Sequence, residues 1–264
     1  MREGERTEDP AAVVARSLSL RRACPPQTVI AGRLALTSVS LTWLRALGPY
    51  AFDALCARHP GTVRSARFGG PRASARRLEW IAGRLALELA VQAWHARNAR
   101  RHVGVRDIRV DTACGGLRSG KPFVNLPVGI GLSHSGDFAV AACGPGAIGV
   151  DLERKRPMGP YLASLLTFEG GVQGGVPGHR LWSMPLPLRW ACKEAVLKYF
   201  GFGLRFDTRE VRLTDWRPDH RFTWTPGPLL AAYTPRLGNE VESWVYGDLD
   251  GYCLALVWRR EYEW

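Results

Sequence analysis

Two long helical stretches, each set among short strand-like runs, constrain this chain more than any other feature. The first spans about Ala73 to Arg100. Leu78, Ile81, Leu85 and Leu89 recur there at helical spacing, with Ala82 and Ala86 beside them. The second spans Leu188 to Leu204. Ala191, Ala195 and Tyr199 form its apolar stripe, Trp190, Glu194 and Lys198 share a neighbouring face, and Gly201 and Gly203 stop it. Strand-like patterns surround the first helix: Ile30 to Leu47, with Val39, Leu41 and Trp43 alternating, Val105 to Val110, and Gly129 to Cys143 as two strands turning at Ser135-Gly136-Asp137. Ala147 to Glu153, Glu210 to Leu213, Arg221 to Thr225, Glu240 to Val245 and Tyr252 to Trp258 surround the second. Tyr50 to His59 reads as a short helix and Thr62 to Pro71 as a loop. Strands around one long helix, twice over, predict an α+β fold of two similar lobes.

A chain of 264 residues can bury a core of that size. Residues 1–27 are polar and Arg-rich and predict a poorly ordered extension. Residues 28–145 then form one lobe and residues 146–264 the other, with Gly144-Pro145-Gly146 as the break. Pro157 to Pro187 is rich in Gly and Pro and predicts a mobile connection with one short helix near Tyr161 to Phe168. The six cysteines are far apart, with no Cys-x-x-Cys pair and no histidine at zinc-ligand spacing. Several lie in apolar runs and read as reduced core residues. The absence of a signal core or membrane-length apolar run then predicts a cytoplasmic protein with no membrane partner.

The formal net charge of +12 favours polyanionic partners. A nucleic-acid binder is expected to show a dense basic stripe with interleaved aromatics. The arginines here are spread through the chain, so nucleic acid is not the expected partner. Among 36 Lys+Arg only Lys121, Lys155, Lys193 and Lys198 are lysines, and two of them fall in the second helix. On spacing alone Glu194 and Lys198, four apart, read best as a solvated helix pair. Asp151 and Glu153 share one strand face by period two. They are either solvated acids or a pair that wants a cation, and oxygen-only ligands suit Mg²⁺ beside a substrate phosphate. Arg72, Arg76 and Arg77 make the start of the first helix basic, with Arg84 two turns on; they are either a solvated basic face or a group at a helix N-terminus, where free backbone N–H groups favour an anion. His134 is a structural residue near a turn or an exposed phosphate ligand.

Taken together, Gly149-Val150-Asp151-Leu152-Glu153 and the later Trp190-Ala191-Cys192-Lys193-Glu194-Ala195 with Lys198 resemble the paired signature of the 4'-phosphopantetheinyl transferase superfamily. Gly120-Lys121-Pro122 and Leu132-Ser133-His134-Ser135-Gly136 stand upstream in the order that family uses. Glu79-Trp80-Ile81-Ala82-Gly83-Arg84-Leu85-Ala86 is similar to its first-lobe helix. The resemblance covers about Arg76 to Leu204 and points to the larger monomeric type. It implies two pseudo-symmetric lobes, each a small, mostly antiparallel sheet packed on a long helix, with a metal site at their interface. It also implies Mg²⁺-dependent transfer of the phosphopantetheine arm of coenzyme A to a serine of an acidic acyl, peptidyl or polyketide carrier protein. On this resemblance Asp151, Glu153 and Glu194 hold Mg²⁺. Glu194 takes the serine proton, and Lys198 reaches the pyrophosphate. Lys121, Ser133 and His134, with Arg76, Arg77 and Arg84, contact the 3'-phosphate and its surroundings. Three features depart from the pattern: Glu88, where relatives often carry a lysine, the glycine-rich run Gly170 to Gly175, and the N-terminal extension, which has no counterpart. The alternatives are a basic nucleic-acid-binding protein and an inactive relative that binds coenzyme A or a carrier.

Overall fold

A computed structural model of the chain describes residues 8–57, 71–166, 180–234 and 241–259. In chain order these form α1 (Pro10–Ser17), β1 (Gln27–Ala31), β2 (Leu34–Ser40), α2 (Leu41–Ala46), α3 (Pro49–Ala57), α4 (Pro71–Trp94), β3 (Val110–Thr112), β4 (Pro122–Val124), β5 (Gly129–Ser135), β6 (Phe138–Gly144) and β7 (Ile148–Arg154). They continue with α5 (Pro160–Leu166), α6 (Arg180–Ser183), α7 (Leu186–Phe200), β8 (Val211–Arg217), β9 (Arg221–Pro226), α8 (Pro228–Tyr233), β10 (Val241–Leu249) and β11 (Tyr252–Arg259). The structure is mixed α+β, and its sheets are antiparallel.

One sheet has the order β1-β2-β6-β5 and a second the order β7-β11-β10-β9-β8; β3 and β4 make a separate ribbon. A topology repeats in the two sheets. A strand (β2, then β7) precedes a long helix (α4, then α7), and a hairpin follows (β5-β6, then β10-β11). In both, the first strand pairs antiparallel with the last strand of the hairpin, β2 with β6 and β7 with β11. Helix α4 packs on one face of the first sheet through Ile81, Ala82, Leu85 and Ala86 against Val39, Ala139 and Ala141. Helix α7 does the same for the second sheet through Ala191, Ala195 and Val196 against Val245, Ala255 and Val257. A third core joins residues of both sheets, with Leu36, Val140, Val150, Leu152, Trp244 and Leu256 packed together.

Residues 8–26 are not the poorly ordered extension expected from composition. Helix α1 and the segment after it bury Ala11, Val14, Leu18 and Leu20 in the core shared by the sheets. Asp9 caps the helix by accepting from Ala11 N (3.1 Å) and forms a two-pronged ion pair with Arg221 (3.0 and 3.1 Å). Tyr246 Oη donates to the Ala11 carbonyl (3.1 Å). Charged residues and prolines flank this segment, but Ala11, Val14 and Leu18 recur on one helical face. Two further expectations are corrected. The run from Ile30 to Leu47 is interrupted at Gly32, whose φ of +57° makes a hairpin turn, and becomes helical at Leu41, where Ser40 Oγ accepts from Trp43 N. Val105–Asp107 is a single 3-10 turn, and the strand begins only at Val110. The run Gly170 to Gly175 and most of the expected loop, residues 62–70, lie outside the described residues.

Candidate active site

Strand β7 and helix α7 meet with almost no space between their backbones. A Cβ on Gly149 would lie 1.9 Å from the Ala195 carbonyl oxygen and 2.5 Å from Tyr199 N. Only glycine permits that approach. Asp151 and Glu153 follow on the same face of β7, so the close approach sets Asp151 against the helix one turn past Glu194. Lys198 Nζ is 2.5 Å from Asp151 Oδ1 and 3.9 Å from Glu194 Oε2. Lys198 also donates to Ser133 Oγ (3.1 Å), and the Ser133 hydroxyl in turn donates to Asp151 Oδ1 (2.9 Å). Ser133 comes from β5, where Gly131 lets that strand approach Ile148 and Val150 closely. Sheet one and sheet two thus each supply a residue to one hydrogen-bonded cluster.

The electrostatics follow from burial. Asp151 and Glu194 are buried. Burial raises the Asp151 carboxyl, against the pull of the Lys198 ammonium. Burial also pushes Glu194 up to about 7, with Lys198 opposing and Asp151 adding to the rise. Glu153, half-buried, is likewise pushed up to about 7 by burial and by the Asp151 charge. Burial works against the Lys198 ammonium, but Asp151 and Glu194 outweigh it and hold its pKa above the ordinary value. Lys198 is therefore a fixed cation amid three carboxyl groups.

Whether these carboxylates fit a metal is decided by what they leave open. Among the described residues no three His, Cys, Asp or Glu side chains gather closely enough to hold an ion by themselves. Lys198 stands against the innermost carboxylate instead. Even so, Asp151 Oδ2 and Glu194 Oε1 are buried without a hydrogen-bond partner, an expensive state for carboxylate oxygens. With Glu153 beside them the open donors are all oxygen. That set fits Mg²⁺, which keeps several waters and takes only one or two carboxylates when a substrate phosphate completes its shell.

A cleft of about 720 Å³ opens over this cluster. Lys121, Ser133, His134, Asp151, Glu153, Glu194 and Lys198 all line it. His134 is exposed at its rim, with Nδ1 4.0 Å from Glu79 Oε2. Lys121 Nζ donates to the Tyr199 carbonyl (2.9 Å) and so caps the C-terminal end of α7; burial and the neighbouring Arg118 lower its pKa to about 8. The arginines of α4 do not join the cleft. Arg84 donates to the Val110 carbonyl (3.1 Å) and lies over the Trp80 ring (5.0 Å). Arg77 lies over the Phe52 ring (5.8 Å), and Arg76 is exposed outside the cleft lining. The helix turns this basic edge toward β3 and α3.

Other lining residues escaped the sequence reading. Arg156, Leu162, Leu204 and Arg205 line the cleft. Arg156 lies three residues past Glu153 and Arg205 just past the glycines that stop α7, so both were near a readable signal. Trp190 also lines the cleft, as its helical register with Glu194 implies. Arg189 carried no signal. It is buried and donates to the carbonyls of Met184 (2.9 Å), Leu181 (3.0 Å) and Leu166 (3.2 Å), tying α5 and α6 to the start of α7.

No family model matches this chain, and no curated protein matches it significantly. None of the described helices is long and apolar enough to cross a membrane.

Proposed function

We propose that this chain is a 4'-phosphopantetheinyl transferase. It moves the phosphopantetheine arm of coenzyme A to a serine of an acidic carrier protein and releases adenosine 3',5'-bisphosphate. One observation carries the reading. Lys121, Ser133, His134, Asp151, Glu153, Glu194 and Lys198, picked out by motif resemblance across some eighty residues of sequence, line one cleft. The repeated strand–helix–hairpin topology supports reading the fold as the two-lobed one that the resemblance implies.

Asp151, Glu153 and Glu194 are the residues that would hold Mg²⁺, which supplies charge neutralisation at the pyrophosphate. The chain's own side chains do the rest. Lys198 presents a point charge to a pyrophosphate oxygen. His134 at the rim and Lys121, with donors left beyond its bond to Tyr199, bind the 3'-phosphate end. Glu194, with a pKa near 7, accepts the proton of the attacking serine hydroxyl. The serine oxygen forms a bond to the β-phosphorus as the bond from that phosphorus to the departing adenosine bisphosphate oxygen breaks. The positive net charge of +12 favours both the anionic cofactor and an acidic carrier.

A second reading, binding of coenzyme A without transfer, is favoured by the Lys198 ammonium standing 2.5 Å from Asp151, where a metal ligand is needed. Intact-protein mass spectrometry separates the two. Apo carrier proteins of the fatty-acid, polyketide and peptide types are incubated with this protein, coenzyme A and Mg²⁺. A gain of one phosphopantetheine, abolished by a chelator and by Glu194→Gln, supports transfer. Binding of coenzyme A with no mass gain on any carrier supports the second reading.

A further inference from the structure

A second concavity lies across β7 from the cleft. Glu153 lines the cleft, and the next residue, Arg154, lines this other pocket, as expected for neighbours that point to opposite faces of a strand. Its volume is about 540 Å³, within the range of about 300–1,000 Å³ usual for small-molecule sites. Arg21 and Arg22 reach it from the segment after α1, and Arg154 and Lys155 from the end of β7. Phe138 and Tyr252, in edge-to-face contact at 5.2 Å, line it as well.

One carboxylate, Asp250, lines the pocket and another, Asp248, lies beside it; both are hydrogen-bonded, and the four cations outnumber their charges. Asp250 Oδ2 accepts from Leu20 N (2.9 Å) and Ser19 Oγ (3.3 Å). Asp248 accepts from Gly251 N (3.2 Å) and pairs with Lys155 (3.0 Å). Among the described residues, Arg21, Arg22 and Arg154 have no carboxylate partner. Three unpaired guanidiniums around one concavity repel each other and focus a positive field there. The arrangement is held in place: Ala23, with an unfavourable φ of +58°, is tied by its N–H to Ser40 Oγ (3.3 Å), which fixes the chain just after Arg22.

We propose that this pocket binds a polyphosphate anion, with Arg21, Arg22 and Arg154 as its ligands and Lys155 beside them. Guanidinium forks match phosphate oxygens two at a time. Three unpaired forks suit the several charges of a pyrophosphate group better than a single anion. A ligand there would tie three segments together: the stretch after α1, the end of β7 and the β10–β11 turn. The site does not depend on the transferase reading, because it shares no lining residue with the cleft.

Hydrogen–deuterium exchange of the full chain, titrated with inorganic pyrophosphate against sodium chloride of equal ionic strength, tests this. Pyrophosphate is expected to slow exchange in residues 18–24, 152–156 and 249–252. The concentration for half-protection should rise about tenfold or more in Arg154→Ala and in Arg21→Ala/Arg22→Ala, with Arg154→Lys between. These side chains are exposed, so the variants are expected to fold. Equal protection by chloride, protection only of cleft residues, or protection that survives Arg21→Ala/Arg22→Ala/Arg154→Ala would each overturn the proposal.

Discussion

Strands β2 and β7 hold equivalent places in the repeated topology, yet one is inert and the other carries the candidate chemistry. Alternation puts Ala35, Thr37 and Val39 on the helix-facing side of β2 and Gly149, Asp151 and Glu153 on that side of β7. The helices differ in the same sense at the cleft: α4 packs through Ala82 and Ala86 and its buried Glu88 lies outside the cleft lining, whereas α7 brings Glu194 and Lys198 to it beside its apolar stripe. The reason is position within the sheet. β2 lies between β1 and β6, covered on both edges. β7 is an edge strand of its sheet, and its free edge turns toward β5, where the cleft opens. Carboxylates are tolerated where a strand borders a cleft and where a lysine can reach them; the enclosed strand has room only for small or apolar groups.

The sharpest way to break this comparison is at the glycines that set helix against sheet. Gly149→Ala should cost about 3 kcal/mol or somewhat more, because backbone atoms of α7 stand in the way. Gly83→Ala, its counterpart on α4, should stay within about 1 kcal/mol of wild type. There the obstacle is the Leu132 side chain at 3.1 Å, which can yield, and alanine improves the helix. Urea midpoints at unchanged m-value measure both, and similar losses would show that the two helix–sheet contacts are alike after all.

Next in size is the charge cluster. Lys198→Met leaves Asp151 buried and unpaired and should cost about 3 kcal/mol. Adding Asp151→Asn should recover much of the loss. Thr37→Val on β2 removes a hydroxyl contact with Thr28 (2.9 Å) and should cost only about 1 kcal/mol. A double-mutant cycle with no coupling between Lys198 and Asp151 would deny the pair any special place.

A third expected effect, on pH dependence, belongs to the carboxylate-bearing strand and helix alone. Glu153 and Glu194 have ordinary values of 4.5 and folded values of about 7. Between these the folded state holds protons that the unfolded chain has released, so stability falls as pH rises through that window. The contribution is fully present below about 4.5 and lost above about 7. Urea midpoints across this range should decline, Glu194→Gln should flatten the decline, and added Mg²⁺ should raise the midpoint at the alkaline end. A midpoint that climbs with pH would remove the case for two buried, raised carboxyls.

The chain's local periodicities were sufficient for much of this. The turn at Gly136-Asp137, the strand bearing Asp151 and Glu153 on one face, and the glycine stop after α7 depend on neighbours a few residues apart, and they are legible in the sequence. The grouping of Lys121, Ser133 and His134 with the carboxylates was legible only through motif resemblance. Composition hid helix α1, because the charged residues and prolines around it mask a short apolar face that means little until a core receives it. Arg84, grouped with the anion ligands by the resemblance, is claimed instead by β3 and Trp80.

Spacing along α7 determined that Glu194 and Lys198 share a face. Only the tertiary structure decided that the shortest contact of Lys198 is with Asp151, 47 residues earlier, rather than with Glu194. Side-chain direction is set within a turn or a pleat, so sequence suffices for it. Which two faces meet is set by burial and by how closely backbones can approach, here at Gly149, and that is a property of the whole packed chain.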